Sequence, residues 1–155
     1  MTYPIGTNVT QVDTVAGFKL GSVVEVMDPV GPTKRYKYVQ YEAATAAVAG
    51  VAGEVAYYYL AGGYANSIVT SDLSDSVNLG AGVLQAGMPD GTYGWVQIGG
   101  PATLSIALTA GADGNALTAV GATDGTLDVV SAFTNAVCAF ADVAATPSII
   151  CMFPE

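Results

Sequence analysis

The chain has 155 residues, enough for one domain with a proper core, and its 13 acidic against four basic residues leave a net charge of −9. It contains no histidine, which removes the commonest neutral-pH acid–base group and the commonest nitrogen ligand for a metal. Only 11% of residues are charged, and all four cations (Lys19, Lys34, Arg35 and Lys37) fall within the first 37 positions, so no basic surface is expected that could hold a nucleic acid.

The first 20 residues are polar and carry Pro4, Gly6 and Gly17, with apolar residues (Tyr3, Ile5, Val9, Val12, Val15, Phe18) standing singly among Thr, Asn and Gln. Such a segment buries too little to order itself alone. It reads either as a frayed terminus or as an extended N-terminal arm, residues 1–20, that adds a strand to a neighbouring subunit. On the second reading, deleting residues 2–15 weakens partner binding and leaves melting of the body, residues 21–155, nearly unchanged. The segment lacks the basic and apolar regions of a secretory signal, and no window approaches a membrane span, so synthesis in a cytoplasm and no membrane partner are expected.

From residue 21 onward, short runs rich in Val, Ile, Thr and Tyr are punctuated by Gly and Pro, the pattern of many strands joined by turns. In chain order the spacing predicts strands at Ser22–Met27, Arg35–Glu42, Val55–Leu60, Ser67–Thr70, Tyr93–Ile98, Thr103–Thr109, Ala116–Val120, Thr126–Val130, Ala136–Phe140 and Ile149–Phe153. Glu42–Ala49 has good helix formers for about two turns, and Ser71–Ser76 is suited to capping a short helical turn. Three Asp-Gly pairs, at Asp90, Asp113 and Asp124, supply the positive φ angles of tight turns. The expected fold is all-β, a small β-barrel or β-sandwich with short strands, little helix and the N-terminal arm.

Candidate chemistry is sparse. No serine has a histidine to activate it, and no Gly-x-Ser-x-Gly elbow occurs. Gly99-Gly100-Pro101 lacks the lysine and following helix of a phosphate cradle. The acids stand mostly beside Gly, Ser or Thr, as turn residues do, and no run has a calcium-loop pattern. Neither an enzyme nor a cofactor or metal is expected. Cys138 and Cys151 lie in apolar runs, as buried thiols or as a mutual disulfide. Nine tyrosines include the triplet Tyr57, Tyr58 and Tyr59. Consecutive strand residues point to opposite faces, so at least one of the three is expected to face outward or to meet a partner, protein or glycan. Trp95 is expected inside the core.

The segment Gly87-Met-Pro-Asp-Gly-Thr-Tyr-Gly-Trp-Val-Gln-Ile-Gly-Gly-Pro-Ala102, preceded by Ala81-Gly82-Val83, resembles a stretch of small tailed-bacteriophage head proteins, as do the pieces around Asp113-Gly114 and Asp124-Gly125-Thr-Leu. The resemblance covers roughly residues 80–130. It implies a capsid decoration, or cement, protein: an all-β virion component, made in the host cytoplasm, that binds the major capsid protein on the outer surface of a phage head. It also implies a homo-oligomer, with a trimer favoured. Residues 1–20 match no family motif position by position. The partner-contact residues expected on this reading are Tyr3, Ile5, Val9, Val12 and Val15 of the arm, with Tyr57, Tyr58 and Tyr59. Two alternatives stay open, a fibre, tail or surface domain reading glycans through Tyr57–Tyr59 and Trp95, and a tail-tube or joining protein.

Overall fold

The structure, a computed structural model, describes residues 7–155. Ten strands form one continuous sheet: β1 (Val23–Val26), β2 (Lys34–Tyr41), β3 (Val55–Tyr59), β4 (Ile68–Thr70), β5 (Ser76–Leu84), β6 (Tyr93–Thr103), β7 (Ala116–Thr118), β8 (Asp128–Val129), β9 (Ala139–Val143) and β10 (Ser148–Met152). Their order is β1-β2-β4-β3-β5-β6-β10-β9-β7-β8, and a further pairing of β2 with β6 closes the middle of the sheet on itself. The result is a five-stranded barrel, β2-β4-β3-β5-β6, in which only β2 and β4 run parallel. Closure leaves the five barrel strands without a free edge, and the sheet ends instead at the short strands β1 and β8.

Register shows which residues fill the barrel. Tyr41, Val69 and Tyr58 lie opposite one another on one face, as do Lys37, Val96 and Leu84, and this face is the interior. The other face of β3 is covered as well. There the Tyr57 hydroxyl donates to the carbonyls of Thr123 and Thr126 and accepts from the Thr126 N–H at 3.0 Å. Strand β6 is long enough to serve two layers: its first half completes the barrel, and Gly99–Thr103 pairs with β10, which leads on to β9, β7 and β8. Leu117, Leu127, Ile149 and Phe153 from this extension join the barrel residues in one buried cluster.

Residues 7–20 do not stand away from the body as a free arm. Asp13 exchanges both backbone hydrogen bonds with Tyr93, at 2.8 and 2.9 Å, and its carboxylate accepts from the Tyr38 hydroxyl at 2.6 Å. Phe18 sits edge-on to Tyr38 and Trp95, with ring centres 5.3 and 5.2 Å away. With Val9 this strap covers a second buried cluster of Val26, Tyr36, Tyr38 and Trp95. The physical reason is geometric: spaced apolar residues that bury little by themselves find an aromatic face already built by β2 and β6. Deleting residues 2–15 is therefore expected to lower the melting temperature by several degrees, not to leave it unchanged, because Val9 is lost from the cluster and Tyr38 loses its acceptor. Thermal unfolding followed by circular dichroism checks this.

Two further expectations are corrected. Glu42–Ala49 is a chain of turns, with Ala44 and Ala47 at positive φ. Two long-range hydrogen bonds, Ala43 N–H to Asp90 and Thr45 N–H to Asp75, hold it open, with a local one from the Tyr41 hydroxyl to the Val48 carbonyl. Of the expected strand Thr103–Thr109, Thr103 ends β6, while 104–109 keeps the alternation of covered and exposed side chains but pairs with no single strand. Its N–H groups at Leu104, Ser105 and Thr109 go to Pro147, Gly53 and Leu127 in turn. The helical turn expected after Ser71 is present as a short 3-10 turn, Leu73–Asp75, with the Asp72 carboxylate accepting from the Ser74 N–H at 2.9 Å.

Candidate interaction surface

The residues singled out as partner contacts are dispersed. Tyr3 and Ile5 lie outside the described residues. Val9 is buried and Val12 half-buried against the core, whereas Val15 is 80% exposed. Tyr57 and Tyr58 are wholly buried and are corrected to structural residues, because β3 is an inner strand covered on both faces. Tyr59, where β3 ends, is half-buried. Trp95 is buried, as expected.

The Tyr58 hydroxyl closes one mouth of the barrel. It accepts from Lys37 Nζ at 2.8 Å, and that ammonium also lies 5.1 and 5.6 Å from the ring centres of Tyr58 and Tyr64. Burial lowers the Lys37 pKa, partly offset by the charge of Glu155. Burial also pushes the thiols of Cys138 and Cys151 up to about 12, which makes them poor nucleophiles, and both are free.

The carboxylates of the Asp-Gly turns act as clips. Asp90 accepts from the Ala43 N–H, Asp113 from Ala144 and Asp124 from Leu73, each across more than 30 positions of chain, while the following glycines adopt the positive φ that the turns require. Asp124→Ala is expected to cost about 1 kcal/mol by freeing the Leu73 turn, a change measurable as a shift in urea midpoint. Among the described residues no three His, Cys, Asp or Glu side chains gather as a metal cage, and no helix is long and apolar enough to cross a membrane. One recess of about 820 Å³ is an open trough lined by Ala107–Asp113, Ala144 and Ala145, whose polar side chains are Thr109, already hydrogen-bonded to Thr123, and Asp113.

Where the barrel consumes its polar groups internally, the extension leaves apolar ones outside. The register sets Pro101, Ile150, Phe140 and Ala116 in one row across β6, β10, β9 and β7. On the same face a second row runs Glu25, Arg35, Gly99 and Met152 across β1, β2, β6 and β10. Ile150 is 45% and Met152 56% exposed, while Phe140 and Pro101 are half-buried. The opposite face of the same strands carries Ile149 and Cys151, which are buried. Sequence reasoning treated Ile149–Phe153 simply as a strand. The alternation Ile149-Ile150-Cys151-Met152 has apolar residues at both parities, and that absence of a polar face was the available signal. Comparison with protein-family models, with curated proteins and with solved structures finds no match.

Proposed function

We propose that this protein is a structural interaction protein of a virion, a capsid decoration protein that coats an assembled head and ties neighbouring shell subunits together. The observation that carries the reading is the exposed apolar surface on a barrel whose interior is already complete. Ile150, Met152, Val143, Val137 and Phe133 remain outside in a chain with few charges to compensate. A monomer seldom leaves such groups bare unless other protein covers them. Coating needs no chemistry: each attached copy adds contacts across subunits, and attachment at several points makes detachment rare. The resemblance of residues 80–130 to phage head proteins points the same way. The glycan-reading alternative loses three of its four aromatic readers, since Tyr57, Tyr58 and Trp95 are inside and only the half-buried Tyr59 reaches the surface.

Co-sedimentation tests the proposal. The full chain, mixed with empty shells assembled from the major capsid protein of the same virus, is expected to pellet with them in a fixed ratio and to raise the temperature at which they fall apart. A chain that stays in the supernatant while binding an immobilised glycan panel would overturn it.

A further inference from the structure

Resting on that reading, we propose that the outer face of β6, β10 and β9, centred on Ile150 and Met152, is the surface that meets the shell, and that it fits an apolar protein patch with a basic rim.

Two observations choose this occupant over a second copy of the chain. The first is charge. The face itself bears no charge at its centre, and its margins carry Asp142 near one end and Glu25 and Glu155 at the other, where both contact the lone cation Arg35. All three acids are exposed. Two copies placed face to face would bring these acidic margins together within chains already at −9, and like charges so placed repel. A partner with lysine or arginine around an apolar centre would instead find complementary charge. The second is size. Three strands about 4.8 Å apart and about five residues of about 3.3 Å each give a footprint of roughly 240 Å². A stable two-body interface needs about 800 Å² from each partner. The face is thus too small to hold a dimer by itself, yet adequate as one contact among several on a repeating lattice.

Substitution separates this proposal from the functional reading beneath it. Ile150→Lys and Met152→Lys place charge at exposed positions, so each is expected to melt within a few degrees of the parent while its affinity for empty shells falls at least tenfold. Val48→Lys serves as the control. Val48 is 60% exposed and its carbonyl accepts from Tyr41, at the end of β2 opposite Arg35. It should bind as the parent does. Binding should also weaken as salt rises, and Asp142→Lys should weaken it further. If the parent pellets with shells and both lysine variants pellet equally well, the face is wrong although the coating function stands. If the parent itself ignores shells, the function falls and the assigned occupant with it. If light scattering instead finds a dimer of the free chain that Ile150→Lys dissolves, a second copy is the occupant and the proposal is overturned.

Discussion

Gly82→Ala is expected to abolish the folded state or to destabilise it by more than about 3 kcal/mol, a loss reserved for substitutions with a specific steric cause. Gly82 lies on β5 at φ +150°, and a Cβ there would stand 2.8 Å from both the Gln97 carbonyl oxygen and Val96 Cβ of β6. Neither neighbour can retreat. The Gln97 backbone is held between β2 and β5, and Val96 packs in the barrel interior. Relief would mean parting β5 from β6, and so opening the ring. The control is Gly91→Ala, at φ +72° with nothing within 4 Å of the added carbon. That change should cost only the left-handed backbone penalty, about 1–2 kcal/mol. Soluble yield and urea midpoints of the two variants test the contrast. Equal midpoints would mean that close packing of β5 on β6 does not govern closure.

Gly82 also shows where the sequence was hard to read. Strand β5, Ser76–Leu84, was not expected at all, because Gly80 and Gly82 look like chain breakers. In the structure they are thin places that let other groups approach: the Phe153 ring and the Cys138 sulfur lie over Gly80, as Val96 does over Gly82. A glycine kept for a neighbour's sake cannot be told from a turn glycine without the neighbour. The all-β class was legible because it rests on local signals, namely β-branched runs and Asp-Gly turns. Most other strands begin and end within a few residues of their expected limits for the same reason. The choice of a closed barrel over a sandwich was not legible, since it depends on the meeting of β2 with β6 over about 60 positions of sequence. The candidate surface suffered likewise. The tyrosine triplet reads as half-exposed only if its strand has one free face, and β3 has none. Ile150 and Met152 read as core only if β10 is covered twice, and it is covered once.

The chain should unfold steeply in alkali, between about pH 10 and 12, and the cause is the number of neutral acids it buries. Burial raises the pKa of Tyr57 and Tyr58 far above the ordinary 10.0, and those of Cys138 and Cys151 from 9.0 to about 12. Tyr38 is pushed up to about 12 by burial and by its hydrogen bond to Asp13, and Tyr41 moves in the same direction through burial. For each group the folded pKa exceeds the unfolded one. Its contribution to stability is therefore whole below pH 9 to 10 and is lost as pH climbs through the folded value, because only the unfolded chain releases the proton. Lys37 works in the opposite sense. Its folded pKa lies below 10.5, so the handicap it imposes at neutral pH is relieved as pH rises towards that value. One lysine does not offset the rest. The four most deeply buried groups alone lower stability by roughly 5 kcal/mol per pH unit once their unfolded forms ionise. That is comparable to the whole stability of a domain of this size within one to two units. The fluorescence of Trp95, the single tryptophan, which is packed on Phe18 and Tyr38, offers the readout, with tyrosinate absorbance beside it. The tryptophan signal and the tyrosinate of the four buried hydroxyls, Tyr38, Tyr41, Tyr57 and Tyr58, out of nine in the chain, should change together in one cooperative step. Ionisation of all nine tyrosines with the tryptophan signal intact would mean that the buried hydroxyls are open to water, and that β3 is not covered on both faces.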